Sequence, residues 1–308
     1  MEYDVIGDIH GQGGKLEALL GRLGYAQRAA SWVAPAGRQA VFIGDFIDRG
    51  PDQIAVVDTV RRMIDAGQAR AVMGNHEFNA IGFATESPDV PGQHLRRRSS
   101  KNIEQHKEFL SQVGQDSKLH REMVAWFKTL PPALSLEGIR VVHAWWHQPY
   151  VDIVAAQHPD GQSMGDAFVV AAHTRGSEEH LAMQGLTKGL EVTLPAGGSF
   201  VDHGGVERTQ ARTRWWMDGP TSYRDVLILA EDQRHRVADH PLPKDYAGQA
   251  VSGAPVFVGH YWMTGTPQLQ SPTVACVDYS AAKDGLPLVC YRWSGEAELD
   301  AANFVQAG

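Results

Sequence analysis

Residues able to bind metal ions follow short apolar stretches at five places in the chain. Three of these places read GDIHG, GDFIDRG and GNHE, and two later ones end in histidine. Carboxylate, amide and imidazole ligands suit Mn, Fe or Zn better than Ca or Mg, and no thiolate is present to require a soft metal. The joint pattern therefore predicts a metal site. Its candidate residues are Asp8, His10, Asp45, Asp48, Asn75, His76, His143 and His260.

The elements that must position these residues alternate between strand and helix over the first eighty residues. Apolar runs at 2–6, 40–43 and 71–73 predict buried strands, and apolar residues recur at helical spacing over 16–23 and 54–64. Strands that alternate with helices imply crossover connections and a largely parallel inner sheet. Ligands of such sheets bind at the carboxyl ends of the strands. We therefore expect the side chains after these strands to meet at one edge of the sheet.

Two insertions are expected in the rest of the chain. Residues 78–130 are polar and helix-like, which predicts a helical insertion on one side of the site, and residues 151–239 are rich in Gly, His and Thr. Because no stretch has the composition of a linker, we predict a single domain over residues 1–308 with insertions at these two places. Further strands are predicted at 139–143, 255–258, 273–277 and 288–293.

Composition excludes several classes of protein. A net charge of −8 argues against a general nucleic-acid binder, which is normally basic. No uninterrupted apolar run of about 18 residues is present, so we expect no membrane span. Glu2 and Asp4 stand where a secretory signal would be positively charged. Cys276 and Cys290 have neither zinc nor disulfide spacing, and free thiols favour a cytoplasmic location.

The motifs GDIHGQ, GDFIDRG and GNHE, followed by VVH and a late VGH, resemble those of the calcineurin-like metallophosphoesterases. They are most similar to the phosphoprotein phosphatase branch and its bacterial relatives, which include symmetrical diadenosine tetraphosphate hydrolases. Three motifs match nearly letter for letter over the first eighty residues, and the later histidines extend the match to about residue 260. The resemblance implies an α/β fold, a calcineurin-like β-sandwich with flanking helices and a helical insertion.

The resemblance also implies a site for two divalent metal ions, of which Mn is favoured and Fe or Zn are alternatives. Asp8 and His10 would bind the first ion, and Asp45 would bridge the two. Two ions about 3.5–4 Å apart can share a hydroxide that attacks phosphorus in line. The second ion would have three further ligands, Asn75, His143 and His260.

The resemblance assigns catalytic roles to residues that are not metal ligands. His76 is the candidate general acid that gives a proton to the leaving alkoxide, and Asp48 would orient it by a hydrogen bond. Arg49 falls in the DRG triplet, where family members use the arginine on phosphoryl oxygens. A second phosphate arginine is expected after the insertion, and we assign Arg214 from its position between the two late histidines. Arg212 and Arg224 are the alternatives.

Aromatic pairs and a basic segment leave two interpretations open. The pairs follow His143, Arg214 and His260, and either pack into the core or form a wall on which a nucleobase stacks. The segment LRRRSSK is either a solvated basic surface or a loop that binds phosphates. The residues concerned are Trp145, Trp146, Trp215, Trp216, Tyr261 and Trp262, with Arg96, Arg97 and Arg98 in the basic segment.

The sequence thus predicts a metal-dependent phosphohydrolase that acts on phosphate monoesters, either phosphoproteins or small phosphoesters. The alternative substrates are dinucleoside polyphosphates or other nucleotide phosphoanhydrides. A non-catalytic metal-binding scaffold is a remote third possibility, which the complete set of ligands and acid disfavours. GHYW lacks the GHxH pattern of the nuclease and cyclic-nucleotide branches, and CVDYSAAKDG stands where a Gly-rich IDTG-like turn is expected. These departures leave the substrate open.

Overall fold

Two five-stranded sheets dominate the computed structural model of the chain. The structure describes residues 1–28, 31–158, 162–201, 205–229, 233 and 236–308. In chain order the strands are β1 (Glu2–Ile6), β2 (Ala26–Arg28), β3 (Ser31–Val33), β4 (Arg38–Phe42), β5 (Ala69–Ala71), β6 (Ala133–Leu136), β7 (Ile139–Val142), β8 (Glu191–Thr193), β9 (Phe200–Val201), β10 (Glu207–Arg208), β11 (Gln210–Arg212), β12 (Val256–Val258), β13 (Leu269–Ser271), β14 (Val274–Cys276), β15 (Leu288–Trp293) and β16 (Phe304–Ala307).

Helices connect the strands and flank the sheets. Apolar residues at helical spacing bury one face of the first two helices, as the sequence predicts. The helices are α1 (Gly13–Arg22), α2 (Gln53–Asp65), α3 (Asn75–Ala84), α4 (Ser100–Val113), α5 (Lys118–Phe127), α6 (Gln148–Gln157), α7 (Asp166–His173), α8 (Glu178–Lys188) and α9 (Tyr223–Val226).

The first sheet has the strand order β16-β15-β1-β4-β5, and the second has the order β13-β14-β12-β7-β6. In the first sheet β4 runs parallel to both β1 and β5, and in the second β12 runs parallel to both β7 and β14. The pairs at the outer edges, β15 with β16, β13 with β14 and β6 with β7, are antiparallel. The predicted parallel arrangement is therefore confirmed for β1, β4 and β5. The expectation that all the ligand-bearing strands belong to one sheet is wrong, because β7 and β12, which precede His143 and His260, lie in the second sheet.

The main hydrophobic core lies between these two sheets, which makes the fold a β-sandwich. Alternate residues of a strand share one face, so Tyr3 and Val5 in β1 point into the same core as Val141 in β7 and Phe257 in β12. The α/β sandwich with flanking helices is confirmed. Other buried members of this core are Val41, Ile43, Val72, Leu134, Ile139, Ala275, Val277, Tyr291, Trp293 and Leu299.

Residues 78–130 are largely helical, as predicted, apart from the irregular segment 85–99. They contain most of α3 and all of α4 and α5, and the last two begin at serines that cap them. Ser99 Oγ accepts a hydrogen bond from Asn102 N at 3.3 Å, and Ser117 Oγ accepts one from His120 N at 3.0 Å. Such caps satisfy amide groups that a helix start leaves unpaired. α4 packs against α2, and α5 packs against α3.

By its internal contacts the chain divides into a larger unit, residues 1–188 with 254–308, and a smaller unit, residues 189–253. The larger unit contains both five-stranded sheets and α1–α8. The smaller unit pairs β8 with β11 and β9 with β10, and has its own core that includes Val192, Ala211 and Leu227. Within the predicted insertion at 151–239, residues 151–188 are largely helical, while 159–161, 202–204, 230–232 and 234–235 lie outside the described residues. The single-domain organisation stays a prediction.

Among the described residues, no helix is both long and apolar enough to cross a membrane.

Candidate active site

The loops after β1 and β4 carry the first predicted ligands and are joined by backbone hydrogen bonds. His10 N donates to Asp45 O at 2.8 Å, and Gly11 N donates to Phe46 O at 2.7 Å. Both loops turn sharply, since the non-glycine residues His10 and Asp45 adopt φ values of 48° and 52°. Left-handed backbone is costly for such residues and concentrates at functional sites. The same conformation occurs at three further predicted site residues, Asp48, Arg49 and His260.

Two glycines let the backbone approach the carboxylates closely. A Cβ atom at Gly74 would lie 2.2 Å from Asp45 Oδ1, and one at Gly259 would lie 2.2 Å from Asp8 Oδ1. Neither position has room for a side chain without movement of a predicted metal ligand. The glycines of GNHE and VGH are therefore required by packing against the site.

The carboxylate of Asp45 lies at the centre of the predicted ligands. Its Oδ2 is 3.6 Å from His10 Nε2, 3.4 Å from His143 Nε2 and 3.9 Å from His76 Nε2. Two groups have donor atoms close enough together to hold a metal ion, and Asp45 belongs to both. The first group is His10, Asp45 and His76, and the second is Asp45, His143 and His260.

Two other predicted ligands lie beside these groups. Asn75 Oδ1 is 3.3 Å from His143 Nε2, which places the amide next to the second group. Asp8 falls in neither group, and its carboxylate accepts a hydrogen bond from His260 N at 3.1 Å. The structure therefore places Asp8, which follows β1, next to His260, which follows β12 in the other sheet, while its role as a ligand of the first ion stays a prediction.

We call Asp8, His10, Asp45, His143 and His260 the floor of the site, because each is at most 3% exposed. Burying charged groups is costly unless a partner compensates. Burial and the nearby Asp278 raise the pKa of Asp8 well above its ordinary value. Burial acts to raise the pKa of Asp45 as well, but His143 and His76 hold it well below the ordinary value. The floor is thus a dense set of buried groups that a cation would stabilise.

The histidine tautomers fit metal ligation. His10 Nδ1 and His143 Nδ1 lie 2.9 Å from Ile47 O and 2.7 Å from Ile43 O, so each Nδ1–H donates to a backbone carbonyl. This arrangement directs Nε2 of each ring at Asp45, and Nε2 is the nitrogen that would bind a metal. Burial acts to lower the pKa of His143, but Asp45 and Asp8 raise it to about 10, so a bound metal would replace the proton on its Nε2. His10 Nε2 is buried and has no hydrogen-bond partner among the described residues. The donor set therefore fits divalent cations.

Asp48 bridges two histidines. Its Oδ2 is 2.5 Å from His76 Nδ1, and its Oδ1 is 2.7 Å from His106 Nδ1. Burial acts to raise the pKa of Asp48, but the hydrogen bonds from His106 and His76 hold it below the ordinary value. The predicted pair of His76 and Asp48 is therefore in hydrogen-bonding contact, and His106 completes an arrangement that the sequence motifs did not indicate.

Arg49 lies at the open side of the site. Arg49 is exposed to solvent, and the Cζ atom of its guanidinium lies 4.0 Å from the ring centroid of Trp262. The His76 side chain is 14% exposed, which is more than any floor residue, and it can therefore be reached from solvent. The buried floor and these reachable groups together form a site that a substrate enters from one side.

The family described as calcineurin-like phosphoesterase matches residues 1–174, more than half of the chain. The chain belongs to this family. Its sequence is 28% identical over 199 residues to the asymmetrical bis(5′-nucleosyl)-tetraphosphatase PrpE of Anoxybacillus flavithermus (strain DSM 21510 / WK1), covering 56% of this chain and 79% of that protein. It is 43% identical over 201 residues to the PrpE protein of the same description from Bacillus subtilis (strain 168), with the same coverage.

A solved structure shows the same fold. A protein serine/threonine phosphatase from Saccharomyces cerevisiae, described as similar to human phosphatase PP5, aligns with a TM-score of 0.50 and 14% identity. The alignment covers 99% of this chain and 78% of that one. Membership of the calcineurin-like phosphoesterase family, and not this likeness of fold, makes the chain a hydrolase of the phosphatase type. Membership of the family implies divalent metal ions, and the two donor groups around Asp45 are the candidate positions for them.

In this phosphoesterase Arg214 lies in the smaller unit. Its backbone N donates to Val226 O at 2.6 Å, between β11 and α9, which also contain Arg212 and Arg224. This bond ties the backbone of Arg214 to another segment of residues 189–253. The assignment of Arg214 as a phosphate arginine stays a prediction.

The aromatic pairs are mostly buried. Trp146 and Trp216 are 8% and 2% exposed, so neither can present a face to a nucleobase, and the stacking-wall interpretation is wrong for them. Burial favours the packing interpretation for their neighbours as well. Trp262 is half-buried, and Arg49 and Lys283 lie over its ring. The buried neighbours are Trp145, Trp215 and Tyr261.

Two buried carboxylates hold the site loops and were given no role from the sequence. Glu77 accepts hydrogen bonds from the backbone N of Asp45 at 2.9 Å, Phe46 at 2.8 Å and Gly74 at 3.0 Å. Asp278 accepts one from Trp262 N at 2.7 Å. Glu77 is the last residue of the GNHE motif, so the sequence motif could have indicated its role. Asp278 stands in the segment that departs from the family pattern, where no motif indicated it.

Proposed function

We propose that this phosphoesterase is a metal-dependent phosphohydrolase with a dinuclear centre. The observation that carries the proposal is the position of Asp45, whose carboxylate belongs to both groups of donor atoms. A carboxylate shared in this way suits two ions held side by side. His10 would hold one ion and His143, His260 and Asn75 the other, with Asp8 supporting the first. When bound, two divalent ions supply a hydroxide nucleophile near neutral pH and polarise the phosphoryl group.

His76 serves as the general acid in this proposal. Asp48 accepts from its Nδ1 and so holds the ring with Nε2 toward Asp45, where the reacting group would lie. Burial acts to lower the pKa of His76, but Asp45 and the hydrogen bond to Asp48 raise it overall. The ring therefore retains a proton that Nε2 can donate to the leaving oxygen, a contribution of about 10²–10⁴-fold.

Arg49 is proposed to bind the phosphoryl oxygens. A guanidinium offers two parallel N–H donors that match two oxygens of a phosphoryl group. Stacking on Trp262 restricts the orientation of the exposed side chain and so prepares it for binding. Arg214 is proposed as the second phosphate arginine, which its arginine chemistry and its place in the sequence support.

Two substrate classes remain candidates. The first is phosphate monoesters of proteins or small molecules, for which the metal site and Arg49 would suffice because only one phosphoryl group has to be held. The second is dinucleoside polyphosphates, which the names of the PrpE relatives favour. We further propose Mn as the metal, because the site mixes carboxylate, amide and imidazole donors. A cytoplasmic location is supported by Cys276 and Cys290, which are free and buried.

The proposal is tested with the wild type and Asp45→Asn, both incubated with Mn. Hydrolysis of p-nitrophenyl phosphate, a phosphopeptide and diadenosine tetraphosphate is measured in parallel, together with bound metal by mass spectrometry. We expect the wild type to turn over at least one substrate with two ions bound, and Asp45→Asn to lose both ions and activity. The preferred substrate selects between the two classes. A fully metal-loaded wild type that is inactive on all three would contradict the proposed function.

A further inference from the structure

A polar recess lies between α3 and α4, next to the general acid. Its empty space is about 250 Å³, counting solvent at its mouth. His76 and Asp48 form one wall, so His76 faces both the recess and the Asp45 carboxylate. A leaving group protonated by His76 would therefore lie beside the recess. The remaining lining residues are Asn79, Phe83, Arg96, Asn102, Gln105 and His106.

Arg96 gives the recess a positive charge. Its guanidinium donates to Gln105 Oε1 at 3.1 Å, which occupies one of its five N–H groups. Among the residues that the structure describes, no carboxylate lies within 4.0 Å of this guanidinium. Burial lowers the pKa of Arg96, and Asp48 is the charge that opposes this effect. A half-buried cation without a close anionic partner is suited to an anion from outside the chain.

The other two arginines of the segment LRRRSSK are placed differently. Arg98 forms a bidentate pair with Asp116, with N–O distances of 2.9 and 2.6 Å, and its guanidinium lies 4.9 Å from the ring of Phe83. Arg97 is exposed and is not part of the recess lining. Of the three arginines, the structure therefore selects Arg96 alone as a recess residue.

A second feature of the recess also points to a ligand. His106 is 5% exposed, and its Nδ1 donates to Asp48, but its Nε2 is buried without a hydrogen-bond partner among the described residues. Buried polar atoms normally have partners, so a group that fills the recess is expected to contact Nε2. The amide of Asn79 adds a hydrogen-bond donor to the same space, while that of Asn102 donates to Arg97 O at 2.7 Å and keeps one further N–H.

We propose that this recess binds a phosphate group of the substrate on the leaving side of the scissile bond. Arg96 would hold that phosphate while the metal site and Arg49 hold the phosphoryl group that is transferred. The recess would thereby favour chains of two or more phosphates over simple monoesters. This proposal rests on the proposed phosphohydrolase function and specifies which substrate class the site prefers.

The test measures how strongly inorganic tripolyphosphate and orthophosphate inhibit p-nitrophenyl phosphate hydrolysis, with free Mn held in constant excess. The inhibition constant of tripolyphosphate is defined whether or not it is hydrolysed. We expect Arg96→Gln to weaken tripolyphosphate relative to orthophosphate by roughly ten- to hundredfold, the effect of losing a charged hydrogen bond. Arg96→Lys, which keeps the charge but loses the planar fork, should fall between Arg96→Gln and the wild type.

Arg97→Gln is the matched control, since it removes the same charge one residue away. The ratio of the two inhibition constants should stay within about twofold of the wild type in this variant. An unchanged ratio in Arg96→Gln, or an equal change in both variants, would overturn the proposal. If the metal-loaded wild type is inactive on p-nitrophenyl phosphate, the phosphopeptide and diadenosine tetraphosphate, the proposed function fails. Calorimetric titration of the metal-loaded proteins with tripolyphosphate and orthophosphate needs no hydrolysis and still gives the comparison that decides on the recess.

Discussion

The floor of the site and the recess beside it are built in opposite ways. Floor residues follow the ends of strands and are at most 3% exposed. Recess residues project from α3 and α4 and from the segment between them, and include the exposed Gln105 and the half-buried Arg96 and Asn102. The floor would therefore carry out the reaction, and the recess would select the substrate. Recess residues can change without disturbing the atoms that would hold the metals.

His76 lies where the two regions meet, so its substitution tests the division most strongly. His76→Asn should lower kcat for phenyl phosphate by about 10²–10⁴-fold, because its poor leaving group needs a proton. The loss should be much smaller for p-nitrophenyl phosphate, whose leaving group is stable as an anion. Steady-state kinetics with both esters gives the two numbers. Equal losses on both would mean that His76 supports the floor rather than donating a proton.

The floor itself is tested at Gly74, where a methyl group would displace Asp45. Gly74→Ala should lose bound metal and about 10²-fold in kcat, since misplacement of a reacting group by about 1 Å costs that much. Mass spectrometry and kinetics measure the two effects. Gly14→Ala in α1 is the control, because nothing lies within 4 Å of its added Cβ. Normal metal content in Gly74→Ala would show that the floor is more adaptable than its packing indicates.

A smaller effect is expected at His106, which reaches the chemistry only through Asp48. His106→Leu should lower kcat on phenyl phosphate by about tenfold, because Asp48 loses one of two hydrogen bonds that orient it. His106→Asn can place an amide N–H near the position of Nδ1 and should recover most of the activity. A purely structural role would instead lower the rates of both esters equally, with a matching fall in Tm.

The smallest effect is expected away from both regions, at the Arg98–Asp116 pair. Hydrogen bonds from Arg98 lower the pKa of Asp116 from 3.8 to about 2. Because the folded pKa is the lower one, the pair stabilises the fold above about pH 4 and loses this effect as the pH falls toward 2. The Asp116 side chain is 54% exposed, so Asp116→Asn should cost less than about 1 kcal/mol. Denaturant unfolding of both proteins between pH 6 and 2 should show the difference disappearing, and a difference that grows at low pH would contradict this account.

The sequence predicted the floor because each ligand directly follows its own strand. Asp8 and His10 need only β1 to end before them. The parallel inner strands of the two sheets then bring the strand ends together. Recess geometry had no such local signal. Asp48 and His106 are 58 residues apart, and their contact depends on how α4 packs against α2. The segment containing Arg96 was singled out by its charge, but which of its arginines faces the site depends on tertiary structure.

The aromatic pairs also show that a side chain's exposure depends on tertiary structure and cannot be read from neighbouring residues. Neighbouring tryptophans next to a ligand are compatible both with a core and with a cleft until burial is known. Of the two interpretations left open by the sequence, burial selects packing at Trp146 and Trp216. The smaller unit was similarly hard to read, because residues 189–253 combine short two-stranded pairs with many turns. Short strands of two or three residues leave little periodicity to detect.

The carboxylate of Glu77 has a consequence for how the site opens. It accepts hydrogen bonds from the backbone N–H groups of Asp45 and Phe46 in the loop after β4 and of Gly74 at the start of α3. In the sequence, 27 residues lie between Phe46 and Gly74. Opening either segment therefore breaks bonds to the same acceptor. The two segments form one cooperative opening unit, so their amide protons should exchange with solvent at a common rate rather than one segment at a time.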